Sequence, residues 1–147
     1  MKKFILRKRE DWRHVVEAIS SQLEPNMVIT LSGPLGAGKT TFVQALAEAL
    51  GSKVRPRSPS FALIRSYKLK NALGIYTLVH ADAYRIESHD DGAVYGLDEY
   101  LEGQGNLLVI EWPERLGGWL RSYTGKRMQI KIELEPDSEI RRVTVSP

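Results

Sequence analysis

The chain has 147 residues, 42% of them apolar, and its 21 basic and 18 acidic side chains leave a formal net charge of +3. This size and composition suit one ordinary globular domain and exclude a disordered chain. The absence of cysteine rules out disulfides, thiolate zinc sites and thiol nucleophiles, and no apolar run reaches the ~18 residues of a membrane helix or the roughly 7 of a secretory core, so a soluble cytoplasmic protein is expected.

Residues 4–6 read as a short edge strand. Asp11 is placed to cap a first helix, because Trp12, Val15, Val16, Ile19 and Leu23 repeat at helical spacing. Pro25-Asn26 ends it. Residues 27–31 are apolar and read as a buried strand, and 32–38 as a glycine-rich turn. A helix follows over 39–50, with Phe42, Leu46 and Leu50 inward and Gly51 as its stop. Strands are expected over 61–69 and 75–81, a helical turn over 97–101, and another buried strand over 107–110. Residues 128–135 alternate strictly between apolar and polar, turn at Pro136-Asp137-Ser138, and return over 140–145 as a terminal hairpin with one wet face. The pattern predicts an α/β layered sandwich of P-loop type over residues 1–147, with a mixed sheet and a C-terminal antiparallel hairpin.

Charge is unevenly spread. Lys53, Arg55, Arg57, Arg65, Lys68 and Lys70 fall in residues 49–81, which hold no acid, whereas residues 82–115 carry nine acids against two arginines. Such a division suits either a charged partner or two ordinary solvated surfaces.

The most specific motif is Gly33-Pro34-Leu35-Gly36-Ala37-Gly38-Lys39-Thr40, which meets G-x-x-x-x-G-K-[ST] at every fixed position between an expected strand and helix. Glycines let backbone N–H groups converge on phosphate oxygens, and the helix N-terminus adds partial positive charge. In this chemistry Gly36, Ala37 and Gly38 cradle the phosphates and Lys39 bridges the outer two. The Thr40 hydroxyl ligates Mg²⁺, and Thr41 adds a donor. Two acids end neighbouring strands. Glu111, after Leu107-Leu108-Val109-Ile110, is placed to serve the metal, with an ordinary strand-end acid as the plain alternative. Asp82, after Leu78-Val79-His80-Ala81, is placed to orient or deprotonate water, to support the metal's hydration, or simply to cap a turn. His80 reads as a packed strand residue, His14 and His89 as surface residues. Without an Asn-Lys-x-Asp segment of the guanine-reading kind, ATP is the expected nucleotide. Trp112 is either near it or packed at a sheet end. Ser58-Pro59-Ser60 is either a phosphate-sensing loop or a turn.

Taken in order, Gly36-Ala37-Gly38-Lys39-Thr40-Thr41-Phe42, Ser58-Pro59-Ser60-Phe61, His80-x-Asp82-x-Tyr84-Arg85, Gly96-Leu97-x-Glu99-Tyr100 and Val109-Ile110-Glu111-Trp112-Pro113-Glu114-Arg115 resemble the TsaE (YjeE) family over roughly residues 4–145. That resemblance implies a cytoplasmic Mg²⁺-dependent ATPase of bacterial tRNA threonylcarbamoyladenosine biosynthesis. It implies TsaD and TsaB as protein partners, with tRNA reached only through their complex, and ATP hydrolysis that resets the complex between rounds. Carried over, it gives Lys39 to phosphate, Thr40 and Glu111 to Mg²⁺, Asp82 to turnover, Trp112 to the neighbourhood of the nucleotide, and Ser58 and Ser60 to a switch-like loop. It leaves Tyr84 and Arg85 as structural or partner-facing.

Three positions depart from the family pattern. Pro34 replaces a usual Asp, Ser60 a usual Thr, and Trp12 a frequent Thr near the adenine pocket. Two other readings compete. One is a small P-loop metabolite or nucleoside kinase, for which the chain lacks length for a lid and acceptor domain. The other is an RNA-binding module using the basic stretch 53–70, which lacks a recognised RNA-binding motif.

Overall fold

The computed structural model describes residues 1–59, 64–86 and 96–147. Among these, the strands β1 (Lys2–Leu6), β2 (Val28–Ser32), β3 (Ile64–Lys68), β4 (Thr77–Asp82), β5 (Asn106–Glu111), β6 (Arg127–Leu134) and β7 (Arg141–Ser146) form one mixed sheet. Its order is β1-β7-β6-β2-β5-β4-β3. Strands β6, β2, β5 and β4 run parallel, while β3, β7 and β1 pair antiparallel. The central position of β2 and β5 follows from composition, since each is buried on both faces along nearly its whole length.

Helices α1 (Trp12–Ile19) and α2 (Lys39–Ala49) cover one face, α3 (Leu97–Glu102) and α4 (Gly117–Ser122) the other. The strand period of two divides the core accordingly. Ile29, Leu31, Leu107, Val109, Met128, Ile130, Ile132 and Val143 meet Val15, Ile19, Phe42 and Leu46 of the first helix pair. Val28, Val79, Leu108 and Ile110 meet Leu97, Trp119 and Leu120.

The terminal hairpin is found as expected, beside β2, and β1 pairs with β7 at that edge of the sheet. Other expectations need adjustment. Asp11 does not cap α1: its Oδ2 accepts the N–H groups of Arg7 and Lys8, because the chain enters through a 3-10 turn over Arg9–Asp11. Helix α1 ends at Ile19, and a 3-10 turn (Ser20–Gln22) carries the chain on. Helix α4 was not expected, since Gly117-Gly118 opens it against helix propensity. It is held by burial of Trp119 and Leu120 and by the Trp119 indole N–H donating to Asp98 at 2.8 Å. The strand expected over 61–69 is found as Ile64–Lys68, residues 61–63 lying outside the described residues.

Candidate functional site

Three parallel strand ends converge. Leu31 of β2 lies opposite Glu111 of β5, and Asp82 of β4 opposite the same Glu111. Alternation along β4 and β5 puts Leu78, His80 and Asp82, and Leu107, Val109 and Glu111, on the face that α2 covers. The chain leaves β2, turns through the glycine-rich loop and enters α2 at Lys39. Gly38 opens that helix at φ 103°, and a Cβ there would stand 3.0 Å from the Trp12 indole nitrogen. At Gly33 a Cβ would stand 2.9 Å from the Ile132 carbonyl oxygen. The loop is thus wedged between α1 and β6.

Lys39 is buried, and its ammonium donates to the Gly33 carbonyl at 2.6 Å and the Pro34 carbonyl at 3.3 Å. It also sits 3.9 Å from the centre of the Trp112 ring, a cation–π contact. Burial lowers the Lys39 pKa, opposed by the charges of Glu111, Asp82 and Glu114. Trp112 adopts a left-handed backbone at φ 58°, immediately before Pro113. That is a strained conformation for a non-glycine residue, of the kind kept where a side chain must be aimed. Its N–H donates to the Leu31 carbonyl at 3.2 Å, and its ring packs on Tyr84 with centroids 4.9 Å apart.

The acids differ in setting. Glu111 is 3% exposed, and its Oε2 lies 3.2 Å from Nε2 of the fully buried His80. The approach is not aligned for a hydrogen bond, and Nδ1 of His80 has no partner either. His80 is packed, as expected, but packed against Glu111. Asp82 is half-buried, and its Oδ1 accepts the Tyr84 N–H at 2.9 Å, an Asx-type turn. Its pKa is raised, first by burial and then by the charge of Glu111, against the Tyr84 hydrogen bond and the charges of His80 and Lys39.

Gly36, Ala37, Gly38, Lys39, Thr40, Thr41, Asp82, Glu111 and Trp112 all line one cleft of about 320 Å³, together with Leu35, Ser58 and Arg141. Thr41 also borders a second groove of about 670 Å³ between α1 and α2, whose lining includes Trp12, Gln44 and Arg55. Trp12 is nearly fully buried there, against Phe42 and Gly38. Ser60 of the expected switch-like loop and His89 lie outside the described residues, and His14 is exposed. Arg141 escaped the sequence reading. Its Nε donates to the Ala37 carbonyl at 2.8 Å from 104 residues away, and no local pattern signals such a contact.

The donor set fits a magnesium-bound polyphosphate. The N-terminal turn of α2 with the Lys39 ammonium and the Thr40 and Thr41 hydroxyls lines the same cleft as the Glu111 and Asp82 carboxylates. Oxygen donors suit a hard divalent cation, which takes one or two carboxylates and completes its shell with phosphate oxygens and water. No cluster of three or more His, Cys, Asp or Glu among the described residues would hold a metal alone.

Sheet, loop and cleft define a P-loop NTPase-like α/β protein. Comparison with known proteins narrows the class. Residues 6–143 match the family model described as "Threonylcarbamoyl adenosine biosynthesis protein TsaE". The tRNA threonylcarbamoyladenosine biosynthesis protein TsaE of Bacillus subtilis is 38% identical over 130 residues, which are 88% of this chain and 76% of that one. Its counterpart from Treponema pallidum is 35% identical over 142 residues, 97% of this chain and 98% of that one. The Aquifex aeolicus protein of that name is 40% identical over 117 residues, 78% of this chain and 79% of that one. The crystal structure of Bacillus subtilis YdiB superposes with a TM-score of 0.70 at 31% identity, covering 98% of this chain and 83% of that one. The chain belongs to the TsaE family.

Proposed function

We propose that residues 1–147 act as one cytoplasmic Mg²⁺-dependent ATPase domain of tRNA threonylcarbamoyladenosine biosynthesis, working on a TsaD–TsaB complex and resetting it between rounds. Membership of the TsaE family supports the pathway. The observation that carries the ATPase reading is the gathering of Lys39, Thr40, Thr41, Asp82, Glu111 and Trp112 into one cleft at the start of α2. No helix among the described residues is long and apolar enough to cross a membrane.

In this reading the phosphates lie along residues 36–41, where N–H groups and the helix dipole compensate their charge. Lys39 leaves the Gly33 and Pro34 carbonyls for the outer phosphates, a short swing for a four-carbon stem. Thr40 and Glu111 would hold Mg²⁺, which would supply charge neutralisation on the phosphate oxygens. Asp82, whose elevated pKa makes it a better proton acceptor than an ordinary exposed aspartate, orients the attacking water. The Trp112 ring walls the cleft beside Lys39. The nucleoside end occupies the groove between α1 and α2, which Thr41 joins to the phosphate cleft.

Calorimetric titration with Mg·ATP tests the site. Lys39→Ala should weaken binding by roughly a hundredfold, about 2.7 kcal/mol, while circular dichroism stays native. Wild-type affinity in the folded variant would refute the assignment. Stoichiometric loss of an added nucleoside together with ATP would point to a kinase instead.

A further inference from the structure

The guanidinium of Arg141 is forked onto the phosphate loop. Nε donates to the Ala37 carbonyl at 2.8 Å and Nη2 to the Gly36 carbonyl at 3.2 Å, while Nη1 is tied to the Glu139 carbonyl at 2.8 Å. The direction follows from β7 itself. Arg141, Val143 and Val145 share a strand face, and the two valines are buried on the side of α1 and α2. Arg142 points the opposite way and pairs with Glu135. The first residue of β7 thus delivers a cation to the loop across 104 residues of sequence.

We propose that Arg141 is the positioning residue of the phosphate loop, setting its affinity for a nucleotide di- or triphosphate. This rests on the nucleotide reading above. Two physical effects carry it. In a planar trans peptide the carbonyl of one residue and the N–H of the next point in opposite directions. Fixing the Gly36 and Ala37 carbonyls therefore also fixes the N–H groups of Ala37 and Gly38. The Ala37 N–H is returned to the Pro34 carbonyl at 3.2 Å, so the loop keeps its turn, and peptide planarity turns the Gly38 N–H away from the guanidinium that holds the Ala37 carbonyl. Second, a carbonyl oxygen near a phosphate is repulsive. A guanidinium on two such oxygens cancels part of that repulsion and adds a second positive charge to a cleft otherwise served by Lys39. Planar geometry with several fixed donors suits this task better than a lysine ammonium does.

The test is ADP binding by isothermal titration with the full chain. Arg141→Met keeps the apolar stem and should weaken ADP about tenfold, about 1.4 kcal/mol. Arg141→Lys, with charge but no fork, should recover only part of the loss. In steady-state turnover Arg141→Met should raise KM with kcat little changed, the mark of lost uniform binding. Arg142→Met, on the other face, should bind ADP like wild type. A folded Arg141→Met protein binding ADP within twofold of wild type would overturn the proposal. Should that variant fail to fold, Arg141→Lys decides: full wild-type affinity overturns the need for the fork, and a several-fold loss supports it. A wild-type chain that binds no ADP would overturn the nucleotide reading, and this proposal with it.

Discussion

At the scale of single residues the cleft holds charges in unfavourable surroundings. Asp82 keeps its proton to a higher pH in the folded protein than its ordinary value of 3.8. The native state therefore binds more protons than the unfolded chain in the interval above 3.8. Stability linked to this group is full below 3.8 and is lost as pH rises through the elevated value. Asp82→Asn removes that cost and keeps an oxygen for the Tyr84 N–H. It should raise Tm by a few degrees at neutral pH, with the gain fading in acid, while slowing ATP turnover roughly 10²–10⁴-fold. A lowered Tm with intact turnover would return Asp82 to a structural turn role. Lys39 has the opposite sign: its lowered pKa means that stability linked to it increases as pH rises through the folded value toward 10.5. His80 sets a further expectation. With Nε2 3.2 Å from Glu111 in a fully buried setting, His80→Ala opens a cavity beside a buried carboxylate. It should cost about 2–4 kcal/mol of stability by urea unfolding, and a neutral result would mean that the pair is dispensable.

At the scale of elements, α2 carries both core and site. Its inward face of Phe42, Val43, Leu46 and Ala47 is fully buried, while its first turn lines the cleft. Leu46→Ala should cost about 2–5 kcal/mol in chemical denaturation yet leave nucleotide affinity nearly unchanged in the folded protein. Coupled loss of both would show that the helix transmits packing defects to its N-terminus. This division explains what was readable from sequence. Strands β2 and β5 announced themselves as apolar runs, β6 by its alternation, and the loop by glycine and lysine at fixed spacing. All are local patterns. Helix α4 was not readable, because its glycines speak against a helix and its support comes from Asp98 in α3. Insertion of the hairpin beside β2 is a matter of strand order, which no local period encodes. The same holds at the site. Lys39, Thr40 and Glu111 stand in motifs, whereas Arg141 gains its place only when β7 folds beside the loop. The left-handed turn at Trp112 runs against the extended backbone that a following proline favours.

At the scale of the whole molecule, the sheet divides labour. Its β2–β5–β4 end carries the cleft, and the hairpin with β1 braces the loop from the far side. The cleft is open: Leu35 at its rim is 67% exposed, and Ser58 is exposed as well. For the proposed ATPase, an open site would exclude water poorly and leave phosphate charge solvated, which predicts slow hydrolysis until a partner surface closes it. The measurement that tests the account most directly is phosphate release from Mg·ATP by the purified protein, with and without a TsaD–TsaB pair from the same source. The account predicts slow release alone and a clear rise with the pair, abolished by Lys39→Ala. Release that is fast alone, or indifferent to the pair, would contradict it.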